Sequence, residues 1–70
     1  MLKKHSVTIR GHATSYTIED EFQSELAAIA TRDGKPLARL IATIDTGRDP
    51  ATNLSSAIRL FVLKEMKKGS

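Results

Sequence analysis

The chain has 70 residues, of which 40% are apolar, and it carries 11 Lys and Arg against 8 Asp and Glu. This length fits a single domain. The apolar content is normal for a globular fold and too high for a disordered tail. The absence of cysteine excludes disulfides and cysteine-containing zinc sites. Because so small a domain has few other ways to stabilise its core, we expect a homo-oligomer.

Several functional classes are disfavoured by what the sequence lacks. No apolar run approaches the roughly 18 residues needed to cross a bilayer, and no apolar segment of a secretory signal follows the basic start. The sequence has no Ser–His–acid arrangement, Gly-rich phosphate loop or metal-ligand spacing. We therefore expect a cytoplasmic protein that has no enzymatic activity and binds no metal or other cofactor.

Positive charge is concentrated at the two ends of the chain. Residues 1–12 carry three cations and no acid, and four cations after residue 52 face Glu65 alone, whereas acids cluster over 19–25. Basic ends favour a polyanionic partner, because neutralising phosphates releases counterions. The alternative is that the termini are solvated and only keep the chain in solution.

Two short segments near the start alternate polar and apolar residues, as strands do. The apolar positions are odd in 6–10 and even in 13–18, and Gly11 lies between the segments. A phase change at a glycine predicts a β-bulge or a tight turn. We predict a strand over 13–18, preceded by a basic arm or accessory strand over 1–12. Whether 6–10 pairs within the chain, with a second chain or not at all stays open.

Three helices are then predicted from apolar stripes with a period of 3.6 residues, over 19–33, 36–46 and 53–67. Gly34 is expected to end the first helix in the left-handed conformation. The apolar residues of the third helix cover more than one stripe. We expect the extra face to contact another chain.

An alternating strand followed at once by two helices resembles the ribbon-helix-helix family, the class of the Arc, MetJ and CopG repressors. The resemblance is carried by TSYTIEDEF at 14–22 and GKPLARLI at 34–41. The segments RGH and TS within 10–15, together with NLSSAIR at 53–59, are similar to a longer bacterial subgroup with an additional C-terminal helix.

The resemblance implies a mainly α fold with a short β-strand and a third helix. It also implies an intertwined homodimer whose strands form an intersubunit antiparallel ribbon. The extra apolar face of the third helix leaves a tetramer open as the alternative assembly. The implied function is sequence-specific binding of double-stranded DNA by a small transcriptional regulator of the repressor type, which reads the major groove with its ribbon.

The resemblance also implies which residues carry this function. Base edges in the groove would meet Ala13, Ser15 and Thr17, with further contacts from Arg10 and His12. Phosphate would be held at the start of the second helix by the backbone N–H groups of Lys35, Leu37 and Ala38 and by the Lys35 charge. The implied dimer interface comprises Tyr16, Ile18, Phe22, Ile41, Ile58, Phe61 and Val62. The alternative function is a protein-interaction or antitoxin-like oligomerisation module, with a protein partner bound through the apolar face of the third helix.

Overall fold

A computed structural model describes residues 1–69 of the chain. Strands β1 (Leu2–Ile9) and β2 (His12–Glu19) are followed by helices α1 (Asp20–Arg32), α2 (Leu37–Gly47) and α3 (Leu54–Lys68). The predicted mainly helical fold with a strand ribbon is confirmed, and the bounds of β2 and of each helix differ from the predicted ones by one residue.

The two strands pair with each other as an antiparallel hairpin. The register runs from Ile9 opposite His12 to Leu2 opposite Glu19. Arg10 and Gly11 form the turn, with φ of 49° and 81°. Positive φ at both central residues is what a type I′ turn requires, and its twist matches that of the strands. The phase change at Gly11 therefore marks a tight turn, and residues 6–10 pair within the chain instead of forming part of an arm.

A single apolar core lies between the hairpin and the three helices. One face of the hairpin contributes Ile9, Tyr16 and Ile18, since successive side chains of a strand point to opposite faces. Each helix buries one stripe against these residues. The helical part of the core consists of Leu26, Ile29, Ala30, Leu40, Ile41, Ile44, Leu54, Ala57, Ile58 and Val62.

The side chains predicted to form a dimer interface are covered by their own chain. The buried ones are Tyr16, Ile18, Ile41, Ile58 and Val62, while Phe22 and Phe61 are partly buried against them. The prediction assumed an unpaired strand with an open apolar side. Strand β1 and helix α3 close that side within one chain, so the burial of these residues does not require a second copy.

The turn between α1 and α2 is fixed by backbone hydrogen bonds. Gly34 has φ of 66° and donates its N–H to the Thr31 carbonyl at 3.1 Å, while the Lys35 N–H donates to the Ala30 carbonyl at 2.9 Å. This pair of bonds is a Schellman motif, which favours glycine at the left-handed position. The predicted role of Gly34 is confirmed.

None of the helices in residues 1–69 has the length and the apolar character that a membrane span requires.

Candidate nucleic-acid interface

The hairpin presents one face to solvent, built from short side chains of both strands. Ala13, Ser15 and Thr17 of β2 are exposed, and the register sets them opposite residues 8, 6 and 4 of β1, respectively. The exposed face therefore comprises Lys4, Ser6, Thr8, Ala13, Ser15 and Thr17, and the pair Leu2 and Glu19 continues it at the base of the hairpin. The sequence prediction found only the β2 half. The alternation in 6–10 already set Ser6 and Thr8 opposite the apolar positions, but a pairing partner was needed to place them here.

This face has the chemistry and the shape of a ribbon that reads base edges. Its hydroxyl groups donate or accept hydrogen bonds, and the Ala13 methyl group can contact a thymine methyl group. The major groove of B-DNA admits a two-stranded antiparallel ribbon. Lys4 is the one cation on the face, and it has no carboxylate partner within the described part of the chain. Lys3 lies on the other face and pairs with Asp20 at 3.5 Å.

The outer backbone edge of β2 is partly open. Because a two-residue turn makes Ile9 and His12 a hydrogen-bonded pair, the N–H groups of Ala13, Ser15 and Thr17 point away from β1. The Thr17 N–H donates to Ser55 Oγ of α3 at 3.0 Å. The N–H groups of Ala13 and Ser15 have no acceptor among residues 1–69. Another strand can therefore pair with this edge only before Thr17.

Two predicted DNA contacts lie at the tip of the hairpin, away from this face. Arg10 occupies the turn, where its guanidinium donates to Thr46 Oγ1 and pairs with Asp45 at 3.2 Å. The carboxylate near the end of α2 therefore holds Arg10 at the turn, and its contact with DNA stays a prediction. His12 is exposed but begins β2 in the alternation phase of Tyr16. It therefore lies on the opposite face from Ser15.

The start of α2 offers two free backbone donors. Pro36 precedes the helix without a side-chain cap, and the N–H groups of Leu37 and Ala38 have no acceptor among residues 1–69. The predicted third donor is wrong, because the Lys35 N–H is used by the Schellman motif. The Lys35 side chain is exposed, as is that of Arg39, and neither has a carboxylate within 4.0 Å in the described chain.

Tyr16 is a core residue, not a platform for stacked bases. It is 4% exposed, its ring stacks on His5 with centroids 5.3 Å apart, and its hydroxyl donates to Gln23 Oε1 at 2.9 Å. Burial raises the pKa of the Tyr16 hydroxyl, partly offset by this hydrogen bond. Tyr16 thereby connects the hairpin to α1, and because side chains alternate along a strand, its neighbours Ser15 and Thr17 point outward.

The base of β2 is tied to α3. Arg59 Nε donates to Glu19 Oε1 at 2.9 Å, and this bond holds the pKa of the Glu19 carboxyl below its usual range. The Arg59 guanidinium carbon also lies 6.0 Å from the centre of the Phe22 ring, at the outer limit of a cation–π contact. These contacts, with the Ser55 bond, connect the strand to a helix distant in sequence.

A comparison with known families shows to which family this architecture belongs. A family model described as a ribbon-helix-helix domain matches residues 2–66. The chain belongs to the ribbon-helix-helix family. Members of this family are typically DNA-binding transcription regulators that act as dimers, and their domains are generally non-enzymatic. Searches of curated proteins and of solved structures found no match.

The ribbon-helix-helix match extends beyond a strand and two helices. It includes the whole of β1 and reaches Met66 in α3. Both elements that close the core within this chain are therefore part of the family domain.

Within residues 1–69, no group of three or more His, Cys, Asp and Glu side chains could hold a metal ion.

Proposed function

We propose that this ribbon-helix-helix protein is a small transcriptional regulator that binds double-stranded DNA sequence-specifically, with the exposed hairpin face in the major groove. The observation that carries the proposal is that face itself. It combines hydroxyl groups, the Ala13 methyl group and the cation Lys4 on a two-stranded ribbon, and the carboxylate at the base of the same face, Glu19, is paired with Arg59. Side chains this short bring the backbone close to the base edges. Ser15 and Thr17 donate and accept there, and Ala13 contacts a thymine methyl group.

The start of α2 is proposed to hold a phosphate beside the ribbon. The free N–H groups of Leu37 and Ala38 and the positive end of the helix dipole attract an anion. The side chains of Lys35 and Arg39 add charge at the same end of α2. These contacts supply affinity and orientation but no sequence information.

We propose that the protein acts as a homodimer joined along the open edge of β2. Antiparallel pairing of residues 12–16 with the same segment of a second copy would place the two β2 strands side by side, as the two-stranded ribbon at the centre of the dimer, with one β1 strand flanking each of them. The free N–H groups of Ala13 and Ser15 support this arrangement, because an open edge is a template for pairing. A two-fold dimer predicts a DNA site with inverted symmetry.

The phosphate contact is tested by Lys35→Ala. Loss of this charge should weaken binding to all duplexes alike, and the slope of log affinity against log salt should fall by about one. Fluorescence anisotropy at several salt concentrations measures both quantities. Lys67→Ala is the matched control, since Lys67 is an exposed cation near the end of α3. An unchanged slope for Lys35→Ala would reject the phosphate assignment.

A second candidate function is a protein-interaction or antitoxin-like module that assembles through α3. Leu60 and Leu63 are each 50% exposed and lie opposite the buried stripe of the helix. Leu60 also borders a groove of about 380 Å³ between α2 and α3, which Phe61 helps to line. Exposed leucines that are adjacent on one helix face favour a protein contact.

This second function predicts an assembly larger than a dimer. Light scattering should then give a tetramer for the wild type and a dimer for Leu60→Glu combined with Leu63→Glu. Ser24→Glu combined with Ala28→Glu introduces the same charge on the exposed side of α1 and serves as the control. A wild-type protein that stays dimeric at high concentration would exclude self-assembly through this face.

A further inference from the structure

We propose that Ser55 and Arg59 of α3 are positioning residues that clamp the base of the β2 strand and set how Thr17 is presented. The inference rests on the proposed DNA-binding function, which already assigns Thr17 to the groove. It concerns residues that contact no base and lie on a different helix from the phosphate contact. Two independent bonds carry it.

The first bond closes the outer edge of the strand. Ser55 Oγ accepts the Thr17 N–H at 3.0 Å, and Ser55 lies in the first turn of α3. That turn is itself fixed, because the Asn53 side chain caps the helix by accepting the Ser56 N–H at 2.9 Å. The hydroxyl therefore stops strand pairing at Thr17 and holds the backbone from which the Thr17 side chain projects.

The second bond holds β2 two residues further along the strand, at Glu19. The Arg59–Glu19 pair spans 2.9 Å, and both side chains are about one-third exposed, which limits screening by solvent. Arg59 follows Ser55 by four residues and so lies on the same side of α3. Together the two bonds grip consecutive outward positions of β2, since Thr17 and Glu19 share a strand face.

A clamp of this kind acts through preorganisation. A ribbon whose base is already held in place loses less conformational freedom when it enters the groove. The effect is largest for the base pair that Thr17 contacts. Loosening the clamp should therefore reduce discrimination at that base pair more than it reduces general attraction to DNA.

Amide exchange tests the clamp without DNA. Ser55→Ala should accelerate hydrogen exchange of the Thr17 amide about tenfold, while the amides of Ala13 and Ser15 keep their rates. Ser56→Ala, one residue away on the same helix, should leave all three unchanged. If the Thr17 amide exchanges equally fast in the wild type and in Ser55→Ala, the clamp does not exist.

DNA-binding measurements test the expected consequence of the clamp, which is discrimination at the base pair that Thr17 contacts. Thr17→Val, which keeps the shape and removes the hydroxyl, first identifies the base pair that Thr17 reads. Arg59→Gln and Glu19→Gln should then each lower discrimination at that base pair about 2- to 10-fold. The reversed pair, Glu19→Arg with Arg59→Glu, should recover most of it. Lys64→Gln removes a charge from the same helix as Arg59 and should leave discrimination unchanged.

The outcomes separate a clamp from a direct contact and from failure of the function. If Arg59 binds phosphate, Arg59→Gln lowers the salt slope by about one and Glu19→Gln tightens binding, which overturns the clamp. Glu19→Gln raises the net positive charge of the protein and should by itself strengthen attraction to DNA. If this variant nevertheless loses discrimination at the base pair that Thr17 contacts, the result supports the clamp. A wild-type protein that binds no duplex, with the exchange result intact, overturns the proposed function and leaves the clamp as a property of the fold.

Discussion

Ile58→Ala is expected to lower the free energy of unfolding by about 2–5 kcal/mol. Ile58 is 0% exposed and lies at the centre of the face that α3 presents to the core. The loss combines the transfer free energy of the removed methylene groups with the cavity they leave. Because small domains have total stabilities of roughly 5–15 kcal/mol, this one change removes a large fraction.

Chemical denaturation measures this loss, and Leu63→Ala is its control. Leu63 is 50% exposed on the same helix, so its truncation should change the unfolding free energy by less than about 1 kcal/mol. The Ile58→Ala loss should also be independent of protein concentration. A loss that shrinks on dilution would mean that a second chain covers Ile58, because the wild type then loses that cover as the dimer dissociates. The core would then not be closed within one chain.

Ser15→Glu is expected to reduce duplex binding at least about tenfold. Ser15 lies in the middle of the exposed hairpin face, directly opposite Ser6 on β1. A carboxylate there would be repelled by the negatively charged groove. It would also offset the charge of Lys4, which is the one positive side chain on that face. The fold should tolerate the change, since the side chain points to solvent.

The control for this prediction is Ser24→Glu. Ser24 is exposed on α1, and its substitution alters the net charge by the same amount. Electrophoretic mobility shift at matched salt compares the two variants with the wild type. Equal weakening by both would show that net charge alone governs binding. The hairpin face would then lose its assigned role.

The sequence predicted the elements that have strong local signals. The 3.6-residue apolar stripes are typical of helices, the alternation around Tyr16 is typical of a strand, and Gly34 favours the end of a helix. The bounds of the helices and of β2 could therefore be predicted within one residue. Tyr16 was predicted to be buried in a dimer interface, and it is 4% exposed within a single chain.

The parts that were left open or missed depend on contacts that local sequence patterns do not report. Residues 6–10 alternate correctly, but only the positive φ of Arg10 and Gly11 turns them back onto β2. The ion pair of Arg10 could not be predicted because its carboxylate partner lies 35 residues away in sequence. The prediction that the Lys35 N–H binds phosphate failed because a helix-ending motif uses that donor.

The dimer interface stays a prediction for a related reason. The stripes of α2 and α3 correctly identified Ile41, Ile58 and Val62 as residues that leave water. Periodicity reports that a side chain is buried but not which chain buries it. Strand β1 and helix α3, once placed, supply that cover within one chain.

Selection of duplexes from a random library at physiological salt tests the central claim most directly. The account predicts enrichment of a short inverted repeat, because a two-fold dimer would present two copies of the hairpin face. The enrichment should vanish with Ser15→Glu and survive Ser24→Glu. Protein that is folded and dimeric but enriches no sequence would contradict readout by the hairpin face.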